Sequence, residues 1–329
     1  MQSVLHTVVH PEKEVHDLDG RVVIVLGGAV GIGFEISRAF VLNNARVIMV
    51  NYDEHGQYAI DKIKKETGQY SEIEWIPCNL GNLKEAKEIL SNLRDREERL
   101  DLLICSADMD INQFGEDTDS IDRHFGINWL GQFYACNLLY PLLRNTSQKA
   151  DTPAPRIVWG SSQMHYNAPS DVHFASLDEI NNSGLSSAEL YGRSKLAIIL
   201  GVKYGMVERV IQPNKDNIYA LSVHPGTANA VMKQQCKDSY PELLGNLLIA
   251  AMFFGGRDLE LGPYSALYAA ISPEIEEKGW NGYYFSEPGQ LGKTSNQASD
   301  PTLGSALWDL SERIIKDKLG EDAVIPWNS

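Results

Sequence analysis

Cysteine, basic residues and long apolar runs are all scarce in this sequence. The four cysteines, Cys78, Cys105, Cys136 and Cys236, are widely spaced and form no C-x-x-C pair. That spacing suggests neither a zinc site nor a redox motif. Cys78 and Cys105 lie in or beside apolar runs and are expected as small buried hydrophobes, with reduced thiols and a cytoplasmic setting. Lys and Arg number 29 against 44 Asp and Glu, a net charge of −15 over 329 residues. A surface that acidic repels polyanions, so nucleic acid and anionic membrane are not expected as non-specific partners.

Three further absences narrow the organisation. The longest apolar stretch, Leu243 to Phe254, is shorter than the roughly 20 residues a bilayer span needs. It is expected as core, as a lid over a substrate, or as a peripheral membrane contact. Residues 1–18 contain His and acidic residues but no apolar segment of a signal peptide, and read as an N-terminal extension. No low-complexity linker divides residues 19–329, which read as one domain. His165, His173 and His224 have no paired spacing on one helix face, so no metal site is expected.

What is present is a β-α alternation. Arg21 to Leu26 is a continuous β-branched run of the kind expected of a strand covered on both faces. It runs into Gly27-Gly28-Ala29-Val30-Gly31-Ile32-Gly33 and a helical pattern from Phe34. Strand, glycine turn and helix are the order of a phosphate cradle, because glycines admit a pyrophosphate and the helix start offers free N–H groups. Tight turns use the same residues, so the position after a buried strand carries the reading. A second strand, Arg46 to Val50, ends at Asn51-Tyr52-Asp53, where a nucleotide-binding βαβ unit meets the adenosine ribose. Asn51 or Asp53 would accept from a 2′-hydroxyl, and no Lys or Arg stands there for a 2′-phosphate, which leans toward NAD over NADP. Asp53 would equally cap a helix starting near Glu54.

Further strands are expected at 73–77, 100–105, 156–159, 218–223 and 282–285. Helices are expected from about Leu83, near 121–143 and after Tyr191. The alternation predicts an α/β fold, a Rossmann-type doubly wound parallel sheet with helices on both faces. Insertions near 166–189 and 230–256 follow strand ends and are expected to shape a ligand pocket.

Tyr191 and Lys195, four apart on a helix, point the same way. An ammonium beside a phenol favours the phenolate and makes a workable proton donor near neutral pH. A surface Tyr lying along a Lys stem would produce the same spacing.

The residues around this pair resemble the short-chain dehydrogenase/reductase family, and within it the retinol-dehydrogenase-like branch, from Leu18 to about Leu319. The motifs in order are Leu26 to Gly33, Phe125 to Phe133 around Asn128, Gly160-Ser161-Ser162, Tyr191-x-x-x-Lys195, and Ser222-Val223-His224-Pro225-Gly226-Thr227. The resemblance implies hydride transfer between NAD or NADP and a carbonyl or alcohol, with Asn128, Ser162, Tyr191 and Lys195 catalytic. Tyr191 would be the general acid or base, and Lys195 would also hold the nicotinamide ribose. Ser162 would bond the substrate oxygen, and Asn128 would anchor a proton-relay water. Cofactor contacts are expected at Gly27, Gly31, Ile32, Gly33, Asn51, Tyr52, Asn79, Leu80, Ser106, Ala107, Tyr191, Lys195, Pro225, Gly226 and Thr227. The long helices near Asn128 and Tyr191 form oligomer faces in relatives, so a homo-oligomer is expected if they do so here.

Four departures from the family pattern fall on cofactor contacts. Leu26 replaces a threonine, Cys105-Ser106-Ala107-Asp108 replaces N-N-A-G, Asn79 replaces an acidic residue, and Ala230 replaces a threonine. A cofactor-binding member with a non-redox or regulatory role therefore stands as the alternative. The apolar and aromatic character of Met164-His165-Tyr166, Val231-Met232 and Leu243 to Phe254 points to a lipophilic or bulky substrate.

Overall fold

In the computed structural model, residues 18–52, 55–67, 71–150, 152–224 and 263–328 are described. The expectations for Asp53, Glu54, Cys236, Pro225 to Thr227, Ala230 to Met232 and Leu243 to Phe254 lie outside them, as does almost all of the N-terminal extension.

Every residue of β1 (Val22–Leu26) is buried, because the two faces of this strand feed two cores. Val22, Ile24 and Leu26 pack on one side of the sheet, and Val23 and Val25 on the other. Side chains alternate across a strand, so a run apolar at every position is what a strand sandwiched between helix layers requires. Around β1 the chain lays down β2 (Arg46–Asn51), β3 (Ile73–Pro77), β4 (Leu102–Cys105), β5 (Arg156–Gly160), β6 (Tyr219–Val223), β7 (Tyr284–Glu287) and β8 (Gln290–Leu291). Their order is β3-β2-β1-β4-β5-β6-β7-β8. All pairings are parallel except β7 with β8. The sheet is thus doubly wound and mostly parallel, closed at one edge by an antiparallel hairpin. The late strand begins two residues after the expected Gly282, because Gly282 sits at φ +85 in the turn that precedes it.

Strand order reverses between β1 and β4, and the crevice at the carboxyl ends of such strands is where ligands bind in open α/β sheets. The glycine turn, Asn51, Ser106, Gly160 and Val223 all lie at those ends. Three helices, α1 (Gly31–Leu42), α2 (His55–Thr67) and α3 (Leu83–Arg96), connect the first four strands.

Two long helices carry the candidate residues. The first is made of Arg123–Phe125, a widened π-type section Gly126–Gly131, and Gln132–Ser147. The second begins at Ser187, four residues before the expected Tyr191, because Ser186 and Glu189 form a capping box around its first turn. It runs to Leu200 and continues through a π-type section, Gly201–Ile211. The two helices meet at Gly201, where an added Cβ would lie 1.8 Å from the Trp129 ring.

The C-terminal helix, Pro301–Leu319, and the tail after it cover the first long helix from outside. Trp129 Nε1 donates to Ser311 Oγ at 2.8 Å, and Tyr134 Oη donates to the Ala323 carbonyl at 3.0 Å. Asn137 exchanges a pair of hydrogen bonds with the Ile325 backbone at 2.8 and 2.9 Å. These contacts explain why Gln132–Ser147 is buried on nearly every side. Among the described residues no helix is long and apolar enough to cross a membrane.

Candidate active site

The glycine turn after β1 is built for close approach. Gly27 and Gly31 take φ of +78 and +54, in the left-handed region that side chains disfavour. A Cβ on Gly33 would stand 2.1 Å from the Gly27 carbonyl oxygen. Val30 caps α1 without a side-chain hydrogen bond, and no acidic residue occupies the first turn. Ile32 is partly buried behind the turn, against the core on the α1 side.

The departures on this side of the crevice have structural reasons. Leu26 and Cys105 are register partners on β1 and β4, both essentially fully buried, so an apolar pair closes the core at the strand ends. Burial pushes the Cys105 thiol well above its ordinary range, as expected of a packing residue. Asn79 Oδ1 accepts from Gly81 N at 2.9 Å, and its own N–H donates to Glu85 Oε1, so it shapes the turn into α3. Leu80 is buried beside it. At the end of β2 the Asn51 carbonyl accepts from Cys78 N and Trp75 Nε1, while Tyr52 is 72% exposed. Ser106 N donates to the Leu26 carbonyl at 3.0 Å. Gln132, not singled out by the sequence, grips Ala107 twice: Oε1 accepts from its N–H at 3.2 Å and Nε2 donates to its carbonyl at 3.0 Å.

The Tyr191 helix is docked onto the end of β5. Ser161 Oγ donates to the Lys195 carbonyl at 2.9 Å, and Lys195 Nζ donates to the Gly160 carbonyl at 2.9 Å. Gly192 has no side chain to block the turn after β5, since a Cβ there would lie 2.7 Å from the Met164 carbonyl oxygen. Ser162 stands in that turn, extended, with its hydroxyl accepting from Met164 N at 3.1 Å. His165 follows, buried, with Nδ1 against the Ser162 carbonyl at 2.8 Å and Nε2 accepting from Ser295 N. Burial holds its pKa below the usual histidine value.

Tyr191 and Lys195 are each 2% exposed, with the ammonium 5.1 Å from the phenol ring centroid. Both polar ends reach the same carboxylate. Tyr191 Oη donates to Asp108 Oδ2 at 3.0 Å, and Lys195 Nζ pairs with Asp108 Oδ1 at 3.0 Å. Asn128 is fully buried behind this group. Its Oδ1 accepts from Met109 N at 2.5 Å, and its Nδ2 donates to the Met109 carbonyl and to Ser194 Oγ at 3.2 and 3.0 Å. Ser194 Oγ in turn donates to the Tyr191 carbonyl at 2.8 Å. Asn128 therefore ties the segment after β4 to the Tyr191 helix. The structure brings Asn128, Tyr191 and Lys195 into one bonded group through Asp108 and Met109, with Ser162 on the adjoining turn. Asp108 had one signal in the sequence, a carboxylate where the family pattern has glycine.

Asp110, two residues on, is mostly buried, and its pKa is raised to about 7 by burial and then by the Asp108 charge, against the pull of Lys195. Asp117, at the far end of the same loop, is raised to about 6, again chiefly by burial. A carboxyl whose folded pKa is raised keeps its proton in the folded state after the unfolded chain has lost it. Stability from this source is therefore full below about pH 4 and is lost as pH rises toward 7. The cost for one such group is about 1.4 kcal/mol per pH unit of displacement. Asp110→Asn is expected to be more stable than wild type at pH 8, with the difference shrinking to nothing near pH 4. Melting temperatures measured across that range check this, and a constant difference at all pH values would contradict it.

Set beside known proteins, this chain matches the short chain dehydrogenase family model over residues 21–165. It is 30% identical over 301 residues to a polyprenol dehydrogenase of Danio rerio, covering 91% of this chain and 87% of that protein. A short chain dehydrogenase/reductase of Colletotrichum higginsianum, dpchH, is 26% identical over 318 residues, 92% of this chain and 77% of the relative. Among solved structures, an uncharacterized protein from Mycobacterium paratuberculosis superposes with a TM-score of 0.66 at 21% identity, over 92% of this chain and 96% of that one. The NADP active-site complex of Pseudomonas aeruginosa RhlG gives 0.58 at 20% identity, over 84% and 97%. With a short-chain dehydrogenase match over residues 21–165 and a relative 30% identical along most of its length, the chain belongs to the short-chain dehydrogenase/reductase family.

Proposed function

We propose that this oxidoreductase moves a hydride between a nicotinamide cofactor and a lipophilic or bulky ketone, aldehyde or secondary alcohol, with Tyr191 as general acid and base. The observation that carries the reading is the burial of Tyr191 and Lys195 side by side at the carboxyl end of β5, with Ser162 on the adjoining turn. The cofactor fits the residues present. A Cβ on Gly27 would collide with the Ala107 backbone after β4 and one on Gly33 with the Gly27 carbonyl, and α1 starts without a side-chain cap, so a pyrophosphate would meet free N–H groups there. Gly27, Gly31, Ile32 and Gly33 would hold it, with Asn51, Tyr52, Asn79, Leu80, Ser106 and Ala107 toward the adenosine. Tyr191 and Lys195 would lie at the nicotinamide ribose, and Pro225, Gly226 and Thr227 are proposed as further cofactor contacts from the sequence motif alone. Bound nicotinamide supplies or accepts the hydride.

In the reductive direction Tyr191 Oη gives its proton to the carbonyl oxygen, and Ser162 Oγ donates to the same oxygen as negative charge grows on it. Lys195 favours the phenolate that Tyr191 leaves behind. In the oxidative direction the phenolate takes the hydroxyl proton. A lipophilic alcohol is supported by the apolar and aromatic character of Met164-His165-Tyr166 beside Ser162 and by the polyprenol dehydrogenases among the relatives, and a retinol-dehydrogenase-like branch is consistent with that reading. The outer face of Gln132–Ser147 is occupied by the chain's own C-terminal tail, so a homo-oligomer would use another face. The cytoplasmic setting is proposed from the reduced thiols and acidic charge; relatives include proteins named mitochondrial and chloroplastic.

Parallel titration with NADH and NADPH, followed by a panel of ketones and alcohols on the tighter binder, tests the proposal. Tighter NADH binding and turnover of long-chain alcohols or their carbonyls are the expected results. Binding without turnover across the panel would favour the regulatory alternative, and substrate change without nicotinamide absorbance change would favour non-redox chemistry.

A further inference from the structure

The buried position of the Tyr191–Lys195 pair raises a question that the four expected catalytic residues leave open. Each turnover takes a proton from Tyr191 or leaves one on it, so the phenol must exchange protons with water. Yet Tyr191 and Lys195 are each only 2% exposed. Asn128, the residue expected to anchor a relay water, has its side chain engaged elsewhere. Its amide oxygen holds Met109 N, its amide nitrogen serves the Met109 carbonyl and Ser194 Oγ, and its backbone carbonyl accepts from Gln132 Nε2 at 2.7 Å. What Asn128 does here is fix the residue next to Asp108.

We propose that Asp108 is the proton-exchange residue of this site, the carboxylate through which Tyr191 exchanges its proton with solvent. Three observations carry it. Asp108 Oδ2 accepts from the Tyr191 phenol at 3.0 Å, its Oδ1 pairs with the Lys195 ammonium at 3.0 Å, and its side chain is 30% exposed. Among the described residues, Asp108 contacts both buried reacting side chains and is itself partly exposed. Its place is held by a two-point clamp on Met109, so the contact belongs to a built loop.

The proposal rests on the reading of Tyr191 as general acid and base. In reduction, the Tyr191 O–H bond breaks and its proton joins the carbonyl oxygen while hydride from the reduced nicotinamide joins the carbonyl carbon. The Asp108 carboxylate then takes up a proton from water and passes it to the Tyr191 phenolate, which returns both groups to their starting states. In oxidation each proton step reverses, so Asp108 carries the released proton outward. Among the described residues, the charged and titratable groups facing Asp108 are Tyr191 and Lys195 on their helix and Asp110 on its own loop. His224 at the end of β6 interacts with Lys195 and with His165 after β5, and burial, then those two groups, hold its pKa down to about 4.

The test uses the full chain with Asp108→Asn, Asp108→Ala and Tyr191→Phe. The first measurement needs no substrate: nuclear magnetic resonance of protein labelled at tyrosine Cζ, with the Tyr191 signal assigned by its loss in Tyr191→Phe. Removing the Asp108 charge from beside the phenol is expected to lower the pH at which Tyr191 ionises by about one unit. An unchanged titration would overturn the proposal, because the carboxylate would then not face the phenol in solution. The second measurement follows oxidation of geranylgeraniol with NAD or NADP, and reduction of the matching aldehyde. Asp108→Ala is expected to lower kcat at least about tenfold with little change in KM, and added formate is expected to restore it in proportion to its concentration. A loss that formate does not restore, or one confined to KM, would assign Asp108 to binding and overturn the relay. Full turnover by Tyr191→Phe would overturn the parent reading. An inactive Tyr191→Phe beside a fully active Asp108→Ala would overturn only the role of Asp108.

Discussion

Tyr191→Phe is expected to lower kcat by about 10²- to 10⁴-fold, the range general acid–base catalysis contributes. The substitution removes one hydroxyl and nothing else. The ring keeps its buried position on the helix that begins with the Ser186–Glu189 capping box. The bond to Asp108 is lost, and because that carboxylate is partly open to water its loss costs about 1 kcal/mol of stability. Fold and cofactor affinity should therefore stay close to wild type while turnover collapses. Stopped-flow or steady-state kinetics on any substrate the wild type transforms, with cofactor titration of the same samples, separates these quantities. Retained turnover would remove Tyr191 from the chemistry, and a parallel loss of cofactor affinity would make its role one of binding.

The parts of this site that could be read from the sequence share one property: each is local. β1 is visible because a strand between two helix layers must be apolar at consecutive positions, as Val22 to Leu26 are. The glycine turn is visible because φ values of +78 and +54 at Gly27 and Gly31 select that residue. Tyr191 and Lys195 are visible because four residues make one helical turn. Asp108 is different. It stands 83 positions from Tyr191, and the pairing exists only because β4 and β5 are neighbours in the sheet. As a departure from a family pattern it could be noticed, but its effect could be assigned only to cofactor contacts, since no periodicity connects it to the phenol. Gln132 and Asn128 are one helical turn apart, yet their partners Ala107 and Met109 come from another element, so their clamping roles are also tertiary. The reason the Tyr191 helix starts at Ser187 was in the sequence, as Ser186-x-x-Glu189, a capping box.

The same helix holds a charge in its interior, and the largest expected effect on stability follows from it. Arg193 lies between Tyr191 and Lys195 in sequence and so points away from them across the helix. It is 1% exposed, with its guanidinium donating to the Glu179 and Ile180 carbonyls at 2.8 and 2.5 Å and pairing with Asp122 at 3.3 Å. Burial lowers the Arg193 pKa, and Asp122 is the leading influence in the other direction. Asp122 is itself fully buried and has two further tasks. Its Oδ2 accepts from Phe125 N as the cap of the first long helix, and its Oδ1 accepts from His124 Nδ1 while His124 Nε2 accepts from Asn112 N. Asp122→Ala would leave a guanidinium in the interior without a counter-charge, a loss of about 3–5 kcal/mol, and would uncap the helix that carries Asn128. Asp122→Asn keeps the cap and should fall between that variant and wild type. Urea unfolding of the three proteins measures the order directly. Because the cost lies in the unpaired charge, Asp122→Ala combined with Arg193→Met is expected to regain part of the loss. A single variant within about 1 kcal/mol of wild type would mean that water reaches Arg193, and the helix behind Tyr191 would then be held by packing rather than by this ion pair.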